Sequence, residues 1–127
     1  MTTKTIISTP NAPAAIGTYS QAVKVDNTVY ISGQIPLDPE TMEMITESFE
    51  AQAIQVFENL KAIAQAAGGE LSDFVKITVL LSDMKYFAQV NETMAKYFSE
   101  PYPARAAFAV KALPKDADIE IDAIMAL

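Results

Sequence analysis

The chain has no cysteine and no histidine. Disulfides, thiolate and imidazole metal sites, Cys or His nucleophiles and Ser-His-Asp triads are therefore excluded. Basic residues are also in short supply: nine Lys and Arg stand against sixteen Asp and Glu, for a net charge of -7, and the nine are scattered. Proteins normally meet the phosphate backbone with a basic patch, so no nucleic-acid partner is expected. No apolar run approaches the roughly 20 residues that span a bilayer, and the N terminus does not combine basic residues with an apolar stretch. A soluble, cytoplasmic protein without membrane association is the expectation. A hard-cation site would need Asp and Glu clustered at loop spacing, which is absent, so neither a metal nor a cofactor is expected. The remaining chemistry is that of carboxylate, guanidinium, lysine, hydroxyl and backbone groups.

What is present is enough apolar residue, half of 127 positions, to build one core, so residues 1–127 read as a single domain. Lys4 to Ser8 reads as a strand that Thr9-Pro10-Asn11-Ala12-Pro13 ends, because proline fixes the backbone and removes donors. Gln21 to Val25 and Thr28 to Gly33 read as a hairpin across Asp26-Asn27, with Asn27 able to take a positive φ. Ile35 to Ile45, with Pro36 and Pro39, reads as an exposed loop or irregular hairpin. Ser48 or Thr46 caps a helix whose stripe is Ala53, Phe57, Leu60, Ala64 and Ala67, and Gly68-Gly69 stops it. Phe74 to Leu81 is β-branched on both faces and reads as a central strand. Ser82-Asp83 caps a second helix with a Phe87, Val90, Met94 and Tyr97 stripe, and two strands follow. The order predicts an α+β fold, one mixed sheet with two helices on one face. The uncovered face then needs a partner, and a homo-oligomer is expected.

The last quarter sets charge into apolar strands. From Ala104 to Ala112 the even positions are wholly apolar, while Arg105 leads the odd face. From Asp118 onward Ile119, Ile121, Ala123, Met125 and Leu127 form an apolar face, which leaves Asp118, Glu120 and Asp122 pointing the other way. Periodicity does not separate those three acids.

These motifs carry a resemblance across essentially the whole chain. Asn11-Ala-Pro-Ala-Ala-Ile-Gly17-Thr-Tyr19-Ser-Gln-Ala, Ile31-Ser-Gly33-Gln-Ile-Pro36-Leu, Phe57-Glu-Asn-Leu60-Lys, Val90-Asn91-Glu, Pro103-Ala-Arg105, Leu113-Pro-Lys and Ile119-Glu120-Ile occur in order. Together they resemble the RidA/YjgF family of reactive imine deaminases. The resemblance implies a chorismate-mutase-like fold assembled as a homotrimer with pockets between subunits, and a cofactor-free hydrolysis of enamine and imine acids such as 2-aminoacrylate to 2-keto acids and ammonia. It also implies a final strand inserted beside the first strand and the one from Phe74 to Leu81, not paired with the strand of Arg105. In a hairpin turning near Lys115, Arg105 would sit roughly 16 Å along the strands from Glu120. The two charges therefore belong either to another strand arrangement or to different subunits.

Hydrolysis of such an imine needs a carboxylate anchor, a polarised carbon and a held water. Arg105, between alanines, offers a planar fork to a carboxylate; an arginine paired with an acid at an oligomer interface is the plain alternative. Glu120 is the water-orienting base, a choice that rests on the resemblance, against a solvated strand carboxylate. Tyr19 donates from its phenol, or merely covers the core edge. Ser32 and Gly33, at a strand end, let a ligand approach backbone N–H groups, although a tight turn also explains Gly33. Asn91 reaches the carboxylate across a subunit boundary or is an ordinary exposed helical Asn. Thr18, Ala107 and Met42 depart from the family's usual Pro, Cys or hydroxyl residue, and Gly. A ligand-binding or chaperone-like module using the same cleft without turnover is the alternative function, followed by a ribonuclease or translation inhibitor.

Overall fold

The computed structural model describes residues 3–127. Eight regular elements follow in the order β1 (Lys4–Ile7), β2 (Ala22–Val25), β3 (Thr28–Gln34), α1 (Phe49–Ala66), β4 (Phe74–Leu81), α2 (Phe87–Tyr97), β5 (Ala104–Ala109) and β6 (Ile119–Ala126). They build one six-stranded mixed sheet in the order β1-β2-β3-β6-β4-β5. All pairings are antiparallel except β4 with β5. The last strand thus enters between β3 and β4, where hydrogen-bond partners await it on both sides, and not beside β1, which is an outer edge.

Alternation sorts the sheet into two faces. Val29, Ile31, Ile77, Val79, Leu81, Ile119, Ile121 and Met125 are buried on one of them. The helices cover that face: α1 contributes Ala53, Val56, Phe57, Leu60, Ile63 and Ala64, and α2 contributes Val90 and Met94. Aromatic rings join the two helices, with Phe57 stacked on Tyr97 at 5.2 Å. On the opposite face Tyr30 and Phe108 remain about half exposed, at 51% and 49%.

Local chemistry sets the element ends. Ser48 Oγ accepts from Ala51 N at 3.0 Å and caps α1, and Gly68 takes the left-handed conformation just beyond the helix, φ +92. In the first hairpin Asp26, not Asn27, carries the positive φ, at 52; both side chains tolerate that region, and the turn chose the first. Residues 35–45 form a small irregular hairpin closed by a Leu37–Met44 bridge, and it is not simply exposed, because Pro36 and Leu37 are buried. Asp83 caps a short 3-10 turn, Met84–Tyr86, ahead of α2, while Ser82 Oγ donates to Asp118 Oδ1 at 2.7 Å.

β5 departs most from expectation. It ends at Ala109 rather than Ala112, and its wholly apolar even face is the one without helices. Ala107, on the odd face, packs against the core. Arg105 is paired with buried Ile77 and so lies on the helix side. No helix among the described residues is long and apolar enough to cross a membrane.

Candidate active site

Two cavities hold the residues singled out by the sequence. The first, about 400 Å³, is on the uncovered face and is lined by Tyr19, Ser32, Gly33 and Glu120, with Ile16, Ile35, Leu37 and Lys115 among the walls. The second, about 480 Å³, lies at the β5 edge and is lined by Asn91, Met94, Ala95, Tyr102, Pro103 and Arg105.

A register shift in the sheet builds the first cavity. Ile31 is opposite Ala123 and Gln34 opposite Ile121, so that Ser32 and Gly33 together stand across from Asp122. Such a bulge re-aims the strand at this point. The backbone of Gly33 then lies directly against the Glu120 carboxylate: a Cβ built on Gly33 would overlap Glu120 Oε2. Gly33 is required by this close approach, since its φ is not in the left-handed region. Ser32 is engaged with the backbone, its N–H donating to Gln21 O at 3.0 Å and its hydroxyl to Ser20 O at 2.6 Å. The hydroxyl of Tyr19 accepts only a long bond from Ile16 N, 3.4 Å, so its own proton points to no protein acceptor among the described residues.

Glu120 is half-buried. Burial raises its carboxyl above the usual carboxylate range, and the negative charge of Asp122, two residues along the same face, adds to the shift. A carboxylate of raised basicity next to a cavity is suited to taking a proton from water.

In the second cavity neutral groups hold the guanidinium. Arg105 Nη1 donates to Asn91 Oδ1 at 2.6 Å and to Met94 Sδ at 3.7 Å, and its Cζ lies 5.1 Å from the centre of the Phe87 ring. Asn91, exposed on α2, thus holds Arg105 from its own chain. Among the described residues no acid lies within ion-pair distance of Arg105; the ion pair found there joins Lys96 and Glu50 at 3.3 Å.

Within one chain, then, Tyr19, Ser32, Gly33 and Glu120 come together, Arg105 and Asn91 come together, and the sheet separates the two sets. Sequence reasoning missed Phe87 and Met94 beside Arg105, which had been assigned only to the core stripe of α2. It also gave no role to Lys115, although the Leu113-Pro-Lys motif was visible. Among the described residues no three Asp or Glu side chains gather to hold a metal ion.

Known proteins resemble this chain in sequence and fold. The sequence model described as Endoribonuclease L-PSP matches residues 9–127. A RutC family protein of Pyrococcus horikoshii is 53% identical over 121 residues, covering 95% of this chain and 96% of its own. The mouse protein named 2-iminobutanoate/2-iminopropanoate deaminase is 50% identical over 119 residues, covering 94% of this chain and 88% of the mouse chain. The crystal structure of RidA from an Antarctic Psychrobacter superposes with a TM-score of 0.94 at 60% identity, covering 97% of this chain and 99% of that one. By sequence and by fold, this chain belongs to the RidA/YjgF family, the group described by the Endoribonuclease L-PSP model.

Proposed function

We propose that the protein hydrolyses 2-imino acids and their enamine tautomers to 2-keto acids and ammonia, in a homotrimer whose pockets join the Glu120 cavity of one protomer to the Arg105 cavity of the next. The observation that carries this reading is Arg105 itself, a cation held in place by an amide, a thioether and a ring face with no acid opposite it among the described residues. A guanidinium oriented but not neutralised is ready for a carboxylate ligand, which it can grip with two parallel charge-assisted hydrogen bonds.

The reaction follows from the other half. With the substrate carboxylate on Arg105, the C=N carbon is presented to a water held by Glu120. Glu120 takes one proton as the water oxygen bonds to that carbon and returns it to the imine nitrogen, giving a neutral carbinolamine. The same carboxylate then takes the carbinolamine hydroxyl proton and passes it to the amine nitrogen as the C=O bond forms and the C–N bond breaks, so that ammonia leaves with the 2-keto acid. Tyr19 donates its phenolic proton to the water or to the developing amine. An enamine enters the same path after protonation at its β-carbon. Relatives that bear the deaminase name at about half identity support the assignment.

The family model's description names an endoribonuclease. For this chain a net charge of -7, tripled in a trimer, opposes the approach of a phosphate backbone. Apolar walls at Ile16, Ile35 and Leu37 suit a small organic acid better.

The test is a steady-state assay in which a serine or threonine dehydratase releases the imine in situ and keto-acid formation is followed. The protein accelerates it and Arg105→Ala does not. Equal acceleration by the variant removes the anchor, and binding of 2-ketobutyrate with a flat assay favours a ligand-holding module.

A further inference from the structure

Buried polar side chains are few, and most of them surround one cavity. Among the described residues they are Gln21, Gln34, Gln52, Asn59 and Thr93. Gln21 Nε2 donates to Thr9 O at 3.0 Å, Ala12 O at 3.3 Å and Pro13 O at 2.8 Å, and its Oε1 accepts from Thr9 N at 2.7 Å. Asn59, reaching down from α1, donates to Leu37 O at 3.0 Å and Ile35 O at 3.4 Å, and Gln55 Nε2 holds its oxygen at 2.8 Å. Gln52, two turns before Asn59 on α1, accepts from Asp118 N at 3.0 Å, two residues before Glu120. Gln34 donates to Ser32 O at 3.2 Å inside the bulge. Thr93 alone lies elsewhere, on α2.

A buried carboxamide is tolerated only when its donors and acceptor are paired. The segments that Gln21 and Asn59 pair with, residues 9–13 and 35–37, lie outside the six-stranded sheet and the helices and contain three prolines, Pro10, Pro13 and Pro36; the second has only the small Leu37–Met44 hairpin to hold it otherwise. Pro13, Ile35 and Leu37 of these segments, with Ile16, are the apolar walls of the Glu120 cavity. We propose that Gln21 and Asn59 are positioning residues that fix these walls and thereby set how large a side chain the imino acid can carry. The substrate named in this proposal rests on the deaminase reading above, whereas the tie between carboxamide and wall does not.

The experiment compares Gln21→Met, close in size but without donors, with Thr93→Val, a buried polar loss outside the cavity. Two readouts are taken: the ratio of kcat/KM for 2-iminobutanoate and 2-iminopropanoate, which differ by one methyl group, and amide hydrogen exchange along residues 9–19. One methylene is discriminated by about 10- to 200-fold in a well-shaped pocket. Gln21→Met is expected to shift the ratio at least about fivefold and to speed exchange in residues 9–19 alone. Thr93→Val keeps the wild-type ratio even where its melting temperature falls. Equal loss of activity on both substrates, or an unchanged exchange pattern, overturns the proposal. Should Gln21→Met not fold, Asn59→Leu is judged by the same ratio and by exchange around residues 35–37. Absence of turnover in the wild type would end the deaminase reading, and exchange would still decide whether the carboxamides hold the walls.

Discussion

Arg105 and Glu120 stand on opposite faces of one sheet. Arg105 shares a row with Ile77, buried beneath the helices, whereas Glu120 shares one with Leu80 on the uncovered side. No rotamer change carries a guanidinium through a hydrogen-bonded sheet. If both groups act on one small molecule, they come from different protomers, with β5, an edge strand, presenting Arg105 to its neighbour.

Replacing Arg105 should therefore damage binding and leave the fold intact. Hydrogen bonds to a charged group contribute about 1.5–3 kcal/mol each, so losing two lowers kcat/KM by at least about 10²-fold. Arg105 is exposed, and its loss should change stability by less than about 0.5 kcal/mol. Arg105→Lys keeps the charge without the fork and should fall between. Steady-state kinetics together with denaturant melts check both halves of the expectation.

Gly33→Ala tests the contact that places Glu120. The added methyl meets the carboxylate, so either Glu120 rotates away or β3 shifts. Overpacking of this kind costs about 1–3 kcal/mol, and a displacement near 1 Å of a catalytic group costs about 10²-fold in rate. A variant that keeps wild-type kcat would show that Glu120 need not occupy the position seen here.

Much of this was legible in the chain, and the exceptions have one cause. Ser48, the α1 stripe, Gly68 and the limits of β4 were readable because capping and periodicity are local. The faces of β5 were not: Ala104, Ala106 and Phe108 read as an apolar face with no side of the sheet assigned, and the structure turns them to the open side. The parallel pairing of β5 with β4, the bulge at Ser32-Gly33 and the grip of Asn91 on Arg105 all depend on residues distant in sequence. For the same reason periodicity alone left Asp118, Glu120 and Asp122 equivalent. The structure separates them: Asp118 is bonded to Ser82 and Gln52, and Glu120 lines the cavity.

The raised basicity of Glu120 has a definite sign in stability. Its folded pKa exceeds the unfolded value of about 4.3, so the native state binds the proton more tightly. The stability that this protonation gives is complete below about pH 4.3 and is lost as pH rises through the folded pKa. Relative to Glu120→Gln, the wild type should therefore lose stability across that interval and run parallel to the variant above it. Activity moves oppositely, since the base must be ionised: kcat/KM rises with pH on a limb above the ordinary glutamate range. Glu120→Gln should lack the limb and lose about 10²- to 10⁴-fold in rate. Melts and pH–rate profiles of the two proteins decide it.

Met42 holds a left-handed backbone, φ 61, in the turn between Asp38 and Glu43. A side chain there costs about 1–2 kcal/mol, and glycine would relieve it at an unfolded-chain entropy penalty of about 0.4–1 kcal/mol. Met42→Gly should gain on the order of 0.5 kcal/mol in denaturant titrations, with kcat/KM unchanged because the turn lies outside both cavities.

Phe108 offers the sharpest test of the shared pocket. It is half exposed in the single chain and sits on the uncovered face in the row that runs through Leu80 to Glu120. In an isolated protomer Phe108→Asp would change stability by about 0.5 kcal/mol at most, as exposed substitutions do. At a seam between copies it would bury an unpaired charge, which assembly does not tolerate. The expected result by light scattering at micromolar concentration is a trimer for the wild type and a folded monomer for the variant, with deaminase activity lost alongside assembly. A wild type that is monomeric and fully active, or a variant that loses its partners and keeps its rate, would mean that Arg105 and Glu120 never meet around one substrate.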